Sequence, residues 1–160
     1  MIMRLNKRAL ALALIGLLAA GCTLELAALS DPARRLDRAT AANHLAALQA
    51  AQTAALDLWD RLIFGEEVPC TEAIPLPPPL SPPPAEVADT PPAAQVAGQL
   101  GAAYNALAQS AARWDAECSY PGAIVGLEAA RAGRDAALRA GDPLQAAQAL
   151  LDAWPTQQAN

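Results

Sequence analysis

Lysine occurs once in this chain, at Lys7, histidine once, at His44, and phenylalanine, tyrosine and tryptophan together number six. Past residue 22 the chain holds eight Arg against sixteen Asp and Glu, a net charge of −8. That balance excludes a nucleic-acid binder, which needs basic surface to neutralise phosphates. No run alternates Val, Ile or Tyr with polar residues, so nothing signals a half-buried strand. With only nine Gly in 160 residues and 54% hydrophobic content, much of it Ala, the composition reads as helical.

The chemistry-bearing patterns are equally sparse. The serines are Ser30, Ser81, Ser110 and Ser119, and none sits in a nucleophile-elbow context. There is no Gly-rich phosphate loop and no Cys-x-x-Cys-His. A zinc or haem site needs further His or Cys ligands besides His44. His44 therefore reads as a partly buried helix residue, and the Glu66-Glu67 pair as solvated loop carboxylates. No catalytic residue, cofactor or metal site is expected.

What the chain does carry begins at its start. Arg4, Lys7 and Arg8 precede an apolar stretch from Ala9 to Ala20, which ends in Leu18-Ala19-Ala20-Gly21-Cys22. A basic n-region, a short apolar h-region and small residues before a cut describe a secretory leader, and the h-region is too short for a comfortable membrane span. Small residues directly before a cysteine resemble the lipobox of bacterial lipoproteins. The resemblance covers about the first 22 residues. It implies removal of residues 1–21 as a signal peptide, diacylglyceryl attachment at Cys22 and anchoring to a membrane of the cell envelope, facing the periplasm or the exterior. Where lipoproteins are sorted by the next residue, Asp favours inner-membrane retention; Thr23 is not Asp, so an outer membrane is favoured if one exists.

Lipidation takes up Cys22 and leaves Cys70 and Cys118 in a disulfide-permissive compartment. Two cysteines allow one pairing, so a Cys70–Cys118 disulfide is expected.

Residues 22–30 read as a tether and 31–155 as one helical domain. Asp31-Pro32 has the form of a helix start, with Asp as cap and Pro at the first position. The helix then runs to about Phe64, where Gly65 can end it. Leu45, Leu48, Ala55, Trp59 and Leu62 give it one apolar face. Ten of the fourteen prolines fall between Pro69 and Pro92, which excludes helix and central strand there and predicts an extended crossover rather than a docking motif. A second helix is expected from Pro91 or Pro92 to about Glu117. Its stripe is Val96, Leu100, Leu107, Ala111, Trp114 and Cys118, with Ala103 or Tyr104 filling the gap. Pro121-Gly122 opens a third helix to about Ala140, in which Gly122 and Gly126 could admit a close neighbour. Gly141-Asp142-Pro143 has the form of a stop followed by a new start. A short fourth helix follows, with Leu144, Ala147, Leu151 and Trp154 as its stripe.

The disulfide constrains the topology. Cys70 follows the first helix by about six residues, a reach of at most ~20 Å. Cys118 lies at the far end of a second helix roughly 40 Å long. An antiparallel hairpin would put the cysteines at opposite ends, so helices 1 and 2 must be parallel and the Pro-rich segment must be the return. With helix 3 descending and helix 4 climbing, the expected fold is all-α: a small four-helix bundle, up-up-down-up, with a long Pro-rich crossover and one disulfide. That topology collects Trp59, Trp114 and Trp154 near the disulfide. It also separates charge, with about +1 near the start of helix 1 and about −5 near the disulfide, where Arg61 and Arg113 face seven carboxylates.

The expected function is a membrane-anchored, non-enzymatic envelope lipoprotein that presents a surface to another envelope protein. The alternative is a small-ligand carrier with a pocket between the helices. An exposed apolar strip distinguishes the first and a tryptophan-lined cavity the second.

Overall fold

The computed structural model of the protein describes residues 36–81, 92–120 and 122–155. The leader, Cys22, the tether and part of the crossover lie outside the described residues. Four helices and no strand occur among those described: α1 Arg38–Ile63, α2 Ala93–Glu117, α3 Leu127–Leu138 and α4 Gly141–Ala153.

Asp31-Pro32 lies outside the described residues. Helix α1 begins at Arg38 and Asp37 is its cap: the carboxylate accepts from the Thr40 N–H at 2.8 Å and from the Thr40 hydroxyl at 2.7 Å. These bonds hold the Asp37 carboxyl below its ordinary pKa. The far end stops at Gly65 as the sequence indicates. Gly65 adopts φ +85°; its N–H donates to Leu62 O at 3.0 Å, and that of Glu66 donates to Arg61 O at 2.9 Å. This paired closure satisfies carbonyls that a helix end leaves free, and the positive φ favours glycine.

Trp59 and Trp114 meet edge to face with ring centroids 5.6 Å apart, and beyond them Cys70 is bonded to Cys118, Cα to Cα 5.3 Å. The C-terminal ends of α1 and α2 thus share one end of the bundle, and the two helices are parallel. The chain between them returns through the Pro-rich segment. Residues 71–81 form neither helix nor strand, yet Ile74 and Leu80 are buried in the core. The Trp114 indole N–H donates to Glu72 O at 2.8 Å. The described part of the crossover, residues 71–81, is therefore a packed strap that contributes side chains to the core.

The third and fourth helices depart from expectation. Helix α3 starts at Leu127 rather than near Gly122, which has φ +82° and lies in a loop. It descends along α1: Arg134 pairs with Asp60, and the Gln52 amide donates to Ala137 O at 3.1 Å. Helix α4 does not climb again. Gly141 lies beside Gln52, and the Arg38 guanidinium donates to Leu151 O at 3.2 Å at the start of α1. Helices α3 and α4 are stacked end to end and both descend, so the up-up-down-up order is corrected to three columns, α1 up, α2 up and α3–α4 down. The backbone at Gly-Asp-Pro continues the column. Gly141 is not in the left-handed region that closes a helix, and Arg139 and Ala140 keep right-handed helical angles. Pro143 lacks the N–H that would reach Arg139 O, so it interrupts the hydrogen-bond ladder without reversing the chain.

The core is built from small residues between the columns. Ala41, Ala55, Ala97, Ala103, Ala130, Ala137 and Ala147 are fully buried beside Leu48, Leu100 and Leu107. The sequence-derived stripe of α2 is buried at Val96, Leu100, Ala103, Leu107 and Trp114, and half-buried at Ala111 and Cys118. Reversal of α4 moves Trp154 to the end opposite Trp59 and Trp114, which corrects the expected cluster of three tryptophans.

Candidate interaction surface

One buried level ties all three columns together just beneath the disulfide. The Trp59 indole N–H donates to Ser110 Oγ at 2.8 Å, and the Ser110 hydroxyl donates to Gly133 O at 2.9 Å. Trp59 and Ser110 are both 0% exposed. A Cβ on Gly133 would fall inside the van der Waals envelope of the Trp59 ring, so only glycine lets α3 lie on that indole. The close-approach glycine is therefore Gly133, whereas Gly122 and Gly126 face open space.

Above this level two loops flank the disulfide. Arg61 holds the first, residues 64–72. Its two terminal nitrogens bond Glu72 at 2.9 and 3.0 Å, and its Nε bonds Glu66 at 3.2 Å. The Arg61 guanidinium in turn holds the Glu72 carboxyl below its ordinary pKa. The second loop, residues 118–126, turns through an Ala123 N–H bond to Tyr120 O at 3.2 Å. Cys70 Sγ sits 3.9 Å from Ala123 O, which brings the two loops side by side.

Large apolar side chains are left uncovered on these loops. Ile124 is 90% exposed, Phe64 82% and Tyr120 62%, and Leu127 follows at the start of α3. Between the loops runs an open groove of about 580 Å³ lined by Leu62, Val68, Pro69, Ile124 and Val125, with Glu66 and Glu67 on its wall. A neighbouring groove shares Val68, Pro69 and Ala123 and adds Tyr120 and the disulfide. The surroundings are acidic. Residues 57–72, 113–120 and 122–134 carry eight carboxylates and four Arg, a net charge of −4. Two of those four, Arg131 and Arg134, lie at this end because α3 descends from the disulfide.

A third open groove, about 650 Å³, separates α2 from α3 and is lined by alanines with Gln109, Arg113, Asp135 and Arg139. No tryptophan lines any of these grooves. His44 is half-buried on α1; its Nε2 is enclosed without a hydrogen-bond partner, and burial pushes its pKa down, so the ring is held neutral. Among the described residues no three His, Cys, Asp or Glu side chains converge as a metal site. No helix among them is long and apolar enough to cross a membrane. Ser110 Oγ is engaged on both sides, by Trp59 and Gly133.

The disulfide joins the two cysteines that the sequence pairs, and Cys22 lies outside the described residues. Sequence reasoning did not single out Phe64, Tyr120, Ile124 or Leu127. Their signal was available in large apolar residues placed in Gly- and Pro-containing loops, where no helical stripe accounts for them. Comparison of the chain with protein-family models, curated proteins and solved structures returns no match.

Proposed function

We propose that this chain is a lipid-anchored lipoprotein of the bacterial cell envelope whose helical domain is a non-enzymatic interaction module. The observation that carries the reading is the uncovered apolar surface of Phe64, Tyr120, Ile124 and Leu127 on a covalently closed frame. Isolated exposed apolar residues are ordinary, but here Ile124 and Tyr120 line adjoining grooves at the disulfide end, an arrangement that suits a contact site. The chain enters the bundle at Arg38, at the end opposite the disulfide.

The bonding of Ser110 agrees with the non-enzymatic reading, because this buried hydroxyl serves to pin α2 to α3. The ligand-carrier alternative draws less support. Trp59 and Trp114 are buried against one another and Gly133, and the α2–α3 groove is open and lined by alanines and charged side chains.

Mass spectrometry of the protein recovered from its own cells tests the anchor. The expected result is a mature chain beginning at Cys22 with a diacylglyceryl group, recovered with outer membranes where the cell has them. Cys22→Ala is expected to abolish lipid attachment and membrane recovery; an unlipidated mature chain refutes the anchor.

A further inference from the structure

The surface at the disulfide end has a chemistry that selects its partner. We infer that the groove between loops 64–72 and 118–126 docks a protein segment carrying apolar side chains flanked by Lys or Arg. The inference rests on the interaction-module reading above and names its partner class.

Three observations converge on that occupant. The first is the apolar lining: Leu62, Val68, Pro69, Ile124 and Val125 line the groove, and Ile124 is almost fully exposed. Covering such side chains removes apolar area from water, the main favourable term in association. The second is charge. Glu66 and Glu67 form part of the wall, and the nearest cation, Arg61, is already shared between Glu66 and Glu72. Glu67 has no ion-pair partner among the described residues. A basic flank on the incoming segment meets this wall and is steered toward it. The third is rigidity. The disulfide, the Arg61 clamp and the Trp59–Ser110–Gly133 tie hold both loops in place before a partner arrives, which reduces the ordering cost of binding.

The same charges disfavour the other occupants of an apolar groove. Two copies meeting through this face would bring together two ends of net charge −4 each. An anionic lipid surface would be repelled for the same reason. A segment lined with Asp or Glu would meet the Glu66–Glu67 wall, and Arg61 is already engaged.

Photo-crosslinking in the protein's own cells tests the inference. A photoreactive amino acid replaces Ile124 in one variant and Gln145, exposed on α4, in another, and crosslinked peptides are sequenced. Position 124 is expected to crosslink to one protein segment that holds apolar residues beside Lys or Arg, and position 145 is expected not to reach that segment. Glu66→Gln with Glu67→Gln is expected to lower the crosslink yield roughly fivefold while the circular dichroism spectrum stays unchanged, since rim charges act mainly on encounter. Crosslinks from position 124 to lipid, to a second copy, to a segment without basic residues, or to no protein each overturn the inference. Equal yields from both positions do so as well. Membrane fractionation of the same cells separates this outcome from failure of the anchor: an unanchored chain that still crosslinks through position 124 refutes the lipid and leaves the docking surface standing.

Discussion

The two ends of this bundle are built by opposite means. At the disulfide end the helices are held by a covalent bond, a paired-tryptophan contact, a three-column hydrogen-bond tie and an arginine clamp. At the other end Ala41, Ala93, Ala97 and Ala147 pack closely, and a single long-range side-chain bond, Arg38 to Leu151 O, joins α1 to α4. Yet the heavily fastened end is the one that leaves large apolar side chains in water. The exposure at Ile124 and Phe64 therefore does not come from loose packing. The frame beneath is over-determined, and the surface above it is presented by that frame.

Breaking the fastenings should show how unequal the ends are. The largest effect is expected from Cys70→Ser with Cys118→Ser. Opening a loop of this size removes about 4 kcal/mol in the chain-entropy picture, measured as a lowered denaturation midpoint. Next comes a pair of identical substitutions with opposite signs. Gly133→Ala forces a methyl into the Trp59 ring and is expected to cost about 3 kcal/mol, an overpacking effect. Gly98→Ala lies on the exposed side of α2 with nothing within 4 Å and is expected to stabilise by about 0.7 kcal/mol. Equal effects at the two glycines would refute the close approach at Gly133.

At the opposite end, Asp37→Ala removes the cap of α1 and is expected to cost about 1 kcal/mol by thermal or chemical denaturation. His44 sharpens the contrast through pH. Its ring is held neutral by burial, so its folded pKa lies below the unfolded one. The stability it contributes is present above pH 6.5 and is lost as pH falls through the folded pKa. His44→Gln is expected to flatten the fall in melting temperature between pH 7 and pH 5. The smallest stability effect is expected from Phe64→Ser with Ile124→Ser, within about 0.5 kcal/mol of the parent, because neither side chain is buried. A large loss there would mean that the surface belongs to the core.

Much of the frame is legible in the residues. Gly65 announces the end of α1, the α2 stripe predicts its buried face, and the reach of six residues to Cys70 requires the parallel pair. Direction after Ala140 is not legible, because Gly-Asp-Pro serves equally as a reversal and as a break within a continuing column. The choice is made by tertiary contacts, the Gln52 and Arg38 bonds to Ala137 and Leu151. The Asp37 cap is also not legible, since no proline marks it and only its bonds from the Thr40 N–H and hydroxyl identify it. The tie at Gly133 is hidden for a related reason: a glycine in an Ala-rich helix looks like composition until the indole opposite it is known. The docking surface largely escapes a search for periodicity, since apart from Leu62 in α1 and Leu127 at the start of α3 its residues lie in loops.

The disulfide has a mechanical consequence. A pull between Leu36 and Ile124 travels up α1 to Cys70, crosses the sulfur bridge to Cys118 and continues to the loop. The intervening chain lies inside a closed ring, with 48 positions separating the cysteines. Roughly 160 Å of extensible chain is thereby withheld from the line of tension. The strap and α2 bear none of the stretch, and a load applied at the exposed tip reaches the foot of α1 through the shortest covalent route in the domain.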